Sequence, residues 1–331
     1  MEARGVSQVA TETGVTPLSW LLSLAQEAVL GVEQQQLNLL KILDPLPEEV
    51  FGDLYFELHE KKREVYIVTH VDRSAWPDSV GAIRYGFSQE KRADFSDDAS
   101  FLAAYQQSVS EYAVIRREID AQLDALRLRD AVDVNAPVSA AQMQQWLQEV
   151  SASKKDQELN LRKAMEAFTA LRSLRVGDVL AVPLLTPHAL QHGVRTIEFQ
   201  TPVYERKILS FAQKVLTQNH WDTEEALRLA QLETPQEQLF PVLCDADGVK
   251  LEQIVRFDDF LVQRLSLAPN AVFSCTTEGS YVLLMTVTGS VTCAGKLLTA
   301  EQASLVPACV AQVVLHNHSA SMTTVLLARP V

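Results

Sequence analysis

The sequence predicts a mainly β protein, two barrels or sandwiches of short strands with a helical insertion in the first. Three observations support this. Short period-two apolar runs punctuated by glycine and proline occupy both ends of the chain. Between 97 and 174 the apolar period changes to three and four residues, that of an amphipathic helix. At 331 residues, 47% of them apolar, the chain is long enough to bury two cores.

Residues 1–14 carry little pattern. Thr16 is placed as an N-cap with Pro17 at the first helical position. Gly31 then follows a helix striped by Leu18, Leu21, Leu22, Ala25, Val29 and Leu30. The run 39–44 reads as a buried strand, and beyond Pro45 and Pro47 strands are expected at 53–59, 64–71 and 81–87. Phe101, Tyr105, Val109, Tyr112, Ile115, Ile119, Leu123 and Leu126 predict a helix of about thirty residues beginning near Asp97. Ser139-x-x-Gln142 predicts a capping box for a second helix, and Leu161, Met165, Phe168 and Leu171 a third over 157–174. Strands return at 176–182 and 196–200, and one more helix runs from Asp222 to near Leu232. The remaining strands fall at 261–265, 281–288, 290–293, 303–306, 313–316 and 323–328. The expected domains are 1–96 with 175–235 as an N-terminal metal-binding unit, 97–174 as the helical insertion, and 236–331 as a C-terminal barrel.

The formal net charge of −13 argues against nonspecific nucleic-acid binding, which depends on phosphate neutralisation by Lys and Arg. An anionic substrate then needs a local cationic pocket. Cys244, Cys275, Cys293 and Cys309 show no CxxC spacing and are expected to be reduced and mostly buried, in keeping with a cytoplasmic protein. The apolar run 20–25 is too short to span a bilayer, so no membrane association is expected. Monomer and homodimer both remain open.

The chemistry concentrates in Glu57-Leu58-His59-Glu60-Lys61-Lys62-Arg63-Glu64. On a strand Glu57 and His59 point the same way, and Glu64 joins them from the next strand if the basic run forms a turn. One imidazole and two carboxylates suit a divalent transition metal. His188 supplies a fourth ligand, presented after a strand and a proline-marked turn in Gly177-x5-Pro183-x4-His188. Lys62 is a candidate catalytic neighbour, although the basic run also fits a solvated hairpin tip. His192 is read as a metal-side or substrate group or a surface turn, His70 as a strand end, and His316 with His318 as an exposed turn. Arg206 and Lys207 form a cationic pair able to hold a phosphate or to make structural ion pairs.

These segments resemble the two metal-binding motifs of the cupins, with Glu57 at the usual first histidine and Leu185 at a usual glycine. They are more similar still to type I phosphomannose isomerases. That family's Lys-x-Leu-Asp strand is matched by Lys41-Ile42-Leu43-Asp44, its Gln-x-His by Glu57-Leu58-His59, and its Lys-x-Glu by Lys62-Arg63-Glu64. Its final ligand segment is matched by 186–193, and its Glu-x-Gln strand with a following arginine by Glu198-Phe199-Gln200 and Arg206. The chain departs from the family at Glu57, at Glu60 where a proline is usual, and in shorter loops at 60–63 and 201–205.

The resemblance implies two cupin barrels, zinc held by Glu57, His59, Glu64 and His188, and aldose–ketose isomerisation of a sugar phosphate through an enediol. It makes Glu198 the proton carrier, with His192 as an alternative, and gives Lys62 and Arg206 the stabilisation of negative charge. The C-terminal barrel, with no histidine after Pro307 and only Glu278 in the corresponding loop, is expected to be metal-free. A cupin that only binds a sugar or small acid, or a metalloenzyme of different chemistry, are the alternatives.

Overall fold

The computed structural model describes residues 7–11, 14–32 and 36–331. It shows a mainly β protein of two antiparallel sandwiches with a helical insertion in the first. The N-terminal sandwich has a four-stranded sheet, in the order Leu39–Leu43, Val194–Gln200, Glu64–Val71, Val179–Val182. A five-stranded sheet faces it, in the order Lys207–Ser210, Phe56–Leu58, His188–Leu190, Gly81–Phe87, Thr169–Leu174. Tyr66, Val68, Ile83, Leu180, Leu190 and Val194 fill the space between them. The C-terminal sandwich packs a six-stranded sheet, from Val242–Ala246 to Ala303–Val306, on a four-stranded one around Leu265, Leu284, Val291, Leu315 and Val325.

Asp98–Arg129 is the long helix, opened by a reciprocal cap in which the Asp97 side chain accepts from the Ser100 amide and the Ser100 hydroxyl from the Asp97 amide. Its apolar stripe, with Trp146 and Met165 from the two following helices, covers Phe56, Leu58, Ala189 and Leu209 on the outer face of the five-stranded sheet. Ala140–Glu149 is capped by Ser139 through the Gln142 amide. Among the described residues, no helix is long and apolar enough to cross a membrane.

Several expectations are corrected. Where 1–14 is described, Gln8–Thr11 pairs with Gly14–Pro17 as a hairpin, while 1–6 and 12–13 lie outside the described residues. Thr16 therefore belongs to a strand, and Leu18–Leu30 begins at Leu18 with no side-chain cap. Gly31 does end that helix, at a φ of 103° that suits glycine, and its missing side chain lets the backbone of Gly279 approach. The third helix is Ala152–Glu166, capped by Ser151, and Thr169–Leu174 is a strand paired with Gly81–Phe87. The apolar residues at 168 and 171 mimicked a continuing helical stripe, but the sheet edge takes this segment and leaves Leu171 exposed. Leu39–Leu43 is an edge strand with Leu39 and Ile42 exposed, not a buried one. Only Cys275 and Cys293 are buried. Cys244 lies exposed on the outermost strand of its sheet, and Cys309 is exposed in the turn after Pro307.

Candidate metal centre

Register brings the ligand segments together. Glu57 is directly paired with His188 across antiparallel strands, so their side chains share one face. Phe56 and Leu58 point the other way, into the core under the helices. The Leu185 amide donates to the His59 carbonyl (2.8 Å), tying the turn before His188 to the end of the first ligand strand. Leu185 has a φ of 64°, a left-handed conformation uncommon for a bulky residue. Its side chain packs against the core under the helices, which offsets that strain.

Ligating atoms of Glu57, His59 and His188 all lie within 4.8 Å of one another. His188 Nδ1 is 3.0 Å from the carbonyl of Thr186, which can only accept, so this nitrogen carries the proton. In the neutral ring Nε2 is then a lone pair aimed into the cluster, 3.2 Å from Glu64 Oε2. Two acceptors face each other there, the arrangement expected around a cation, and a backbone carbonyl behind the ring is the usual support of a ligating histidine. His59 sharpens the point. Its side chain is 1% exposed, neither ring nitrogen has a hydrogen-bond partner, and Nε2 stands 3.6 Å from Glu57 Oε1 and 3.5 Å from Glu64 Oε2. Glu57 Oε2 is also buried without a hydrogen bond. Each orphaned buried group costs about 1–3 kcal/mol, and a divalent metal would satisfy His59 Nε2 and the Glu57 carboxylate together. The donor set fits such an ion.

Glu64 is close but differently engaged. Lys62 Nζ approaches its Oε1 at 2.6 Å, and the Tyr66 hydroxyl donates to its Oε2 at 2.9 Å. Burial opposes its charge, but where no ion takes their lone pairs, ring protons of His188 and His59 aimed at it, together with Lys62, outweigh that and hold the carboxyl well below the usual range. Glu198 pairs with Tyr66, and Gln200 with Glu64, on the neighbouring strand. Burial and then the negative charge of Glu64, only partly countered by Lys41 at 3.3 Å, push Glu198 up to about 8. Lys41 also contacts Gln200. Arg206 lies over the Tyr55 ring (4.5 Å), with Nε 3.9 Å from Glu57 Oε2.

The structure thus gathers Glu57, His59, Lys62, Glu64, His188, Glu198 and Arg206, but not His192. The strand that carries His188 ends at Leu190, and His192 lies in the turn that follows. There His192 stacks on Trp76 and binds Asp53 through Nδ1 at 2.7 Å. Those contacts commit its ring to Asp53 and Trp76. Lys207 is committed to Glu60 and Glu225. His70 is exposed opposite Arg195, and His316 and His318 lie against each other with tilted rings in the C-terminal sandwich. Sequence reasoning missed Tyr66, Tyr55 and Glu205. Tyr66 alone left a signal, two residues from Glu64 and so on the same strand face.

Asp53 gives a pH prediction. Burial opposes its charge, but hydrogen bonds from the His192 ring and backbone and from the Val50 amide hold its carboxyl below the usual value. A lowered pKa contributes stability that is present above the unfolded value near 3.9 and lost as pH falls through the folded value. Asp53→Ala should therefore cost about 2 kcal/mol at pH 7. That penalty should shrink in denaturant titrations repeated below pH 4, and a pH-independent penalty would refute the account.

No family profile matches the sequence, and no curated protein is significantly similar to it. Solved structures do share the fold. Mannose 6-phosphate isomerase from Bacillus subtilis aligns over 96% of this chain and 83% of its own, with TM-score 0.61 and 14% identity. A point mutant of phosphomannose isomerase from Salmonella typhimurium aligns over 99% of this chain and 89% of its own, with TM-score 0.61 and 15% identity. A zinc-bound mannose 6-phosphate isomerase aligns over 99% and 88%, with TM-score 0.61 and 14% identity. At these identities the likeness establishes the fold.

Proposed function

We propose that the chain is a metal-dependent aldose–ketose isomerase acting on a sugar phosphate, with zinc as the metal. The observation that carries this reading is the buried, unpartnered imidazole of His59 facing Glu57 and His188, in the fold of mannose 6-phosphate isomerases. Glu57, His59 and His188 would hold the ion, with Glu64 beside them. The ion supplies Lewis-acid polarisation of the sugar's carbonyl and hydroxyl oxygens. Glu198, buried on the inner face of the neighbouring strand, carries the proton between the two carbons of the enediol. Lys62 holds Glu64 in place as a carboxylate, and Arg206 balances negative charge at the Glu57 side.

Zinc-loaded protein should interconvert mannose 6-phosphate and fructose 6-phosphate, or another aldose–ketose phosphate pair, and lose the activity with a chelator. Metal-loaded protein that binds sugar phosphates without turnover would be a sugar-binding protein instead. One observation favours a second reading. Both Glu64 oxygens are engaged by Lys62 and Tyr66, which leaves two histidines and one carboxylate, the facial triad of non-haem iron enzymes. Iron in place of zinc in the purified protein would support that chemistry.

A further inference from the structure

The turn after His59 and the segment before Arg206 meet in space. The carboxylate of Glu205 lies against the turn after His59 and accepts from three successive amides. Glu60 N donates at 3.0 and 3.1 Å to its two oxygens, Lys61 N at 3.1 Å, and Lys62 N at 3.4 Å. Successive main-chain N–H groups converging on one anion form a nest, a concavity that binds phosphate as readily as carboxylate. Here it is filled by the protein's own side chain.

We propose that this nest is the binding subsite for the phosphate of the substrate, and that Glu205 is a plug the phosphate displaces. The subsite starts one residue beyond His59. From His59 to Lys61 the chain covers at most about 7 Å, comparable with the carbon backbone of a hexose. A sugar with its reacting end at the metal cluster can therefore place its phosphate on the nest. Arg206 adjoins the plug in sequence and spends its guanidinium on Thr217 Oγ1 (2.6 Å) and the edge of Glu57, leaving cationic character beside the site. A ligand must offer more than a single carboxylate to replace Glu205 on the same three donors. The opposing view is that Glu205 only latches the 201–206 segment to the turn, which the Thr201 amide already binds through the Arg63 carbonyl (3.0 Å).

That the anion belongs to a sugar phosphate rests on the isomerase reading, whereas anion binding by the nest does not. The test titrates inorganic phosphate into full-length wild type, Glu205→Gln and Glu205→Ala, recording amide shifts by NMR. Unplugging should raise phosphate affinity about tenfold, with saturable shifts at Glu60, Lys61 and Lys62. Unchanged or weaker affinity, or shifts that bypass these three amides, overturns the proposal and leaves Glu205 a latch. Glu205→Gln keeps the side chain's length and one acceptor, so it reads the nest even if Glu205→Ala fails to fold. Mannose 6-phosphate should compete with inorganic phosphate and mannose should not. If phosphate occupies the nest and no isomerisation occurs, the reaction is wrong and the subsite stands. Turnover without these shifts keeps the reaction and removes the subsite.

Discussion

His188→Ala should leave the purified protein without stoichiometric metal and lower sugar-phosphate isomerisation by about 10³-fold or more, since a Lewis-acid metal supplies several kcal/mol of charge stabilisation in the transition state. The expectation rests on how the ring is held. The Thr186 carbonyl fixes Nδ1 as the donor, so the lone pair on Nε2 has no orientation but the one facing Glu57, His59 and Glu64. Alanine removes one of the two imidazoles of the cluster, and the nearest carboxylate, Glu64, is engaged by Lys62 and Tyr66. Glu64→Ala should also lose metal, for a different reason: the Lys62 ammonium, now paired to Glu64 at 2.6 Å, would be left facing the site unneutralised. Metal analysis and a turnover assay read both variants, with circular dichroism confirming the fold. Stoichiometric zinc retained in His188→Ala would sink the proposed centre.

Much of that centre was legible because strand periodicity is local. Glu57 and His59 are two residues apart, and the Pro183-x4-His188 spacing marks a strand, a turn and a strand. The pairing of Glu57 with His188 was not legible, because register over more than a hundred residues is set by which faces the core buries. His192 shows the opposite error. Its spacing from His188 suggested a shared site, but the strand ends at Leu190 and the turn that follows commits His192 to Asp53 and Trp76. The long helix was readable from eight apolar residues at helical steps, whereas the segment 169–174 kept an apolar pattern that tertiary pairing turned into a strand. Glu205 could not be found in advance, since its partners are backbone amides and no side-chain motif records them.

Phe199→Ala should destabilise the protein by about 3–5 kcal/mol, as truncating a fully buried aromatic does, and should do so in one cooperative transition. Alternation along Val194–Gln200 sends Glu198 and Gln200 toward the metal cluster, while Ile197 and Phe199 point out of the other face. On that face they meet Ile254, Phe260, Val262 and Tyr281 of the C-terminal sandwich, with Val65 and Ile67 from the next strand. The N-terminal helix closes the same seam. Val29 and Leu30 are buried in it, and the carbonyls of Ala28 and Val29 accept from the Cys309 and Ala308 amides. A strand that forms the wall of the site on one face and a shared core on the other couples the two sandwiches, and this explains why the neighbouring strand is buried on both faces from Glu64 to Val68. A denaturant series should then show a lower midpoint with an unchanged slope. Two separated transitions, with the C-terminal sandwich unfolding at its wild-type midpoint, would show that the seam carries little stability. Metal affinity measured below the transition should change little, because the lost side chain faces away from the ligands.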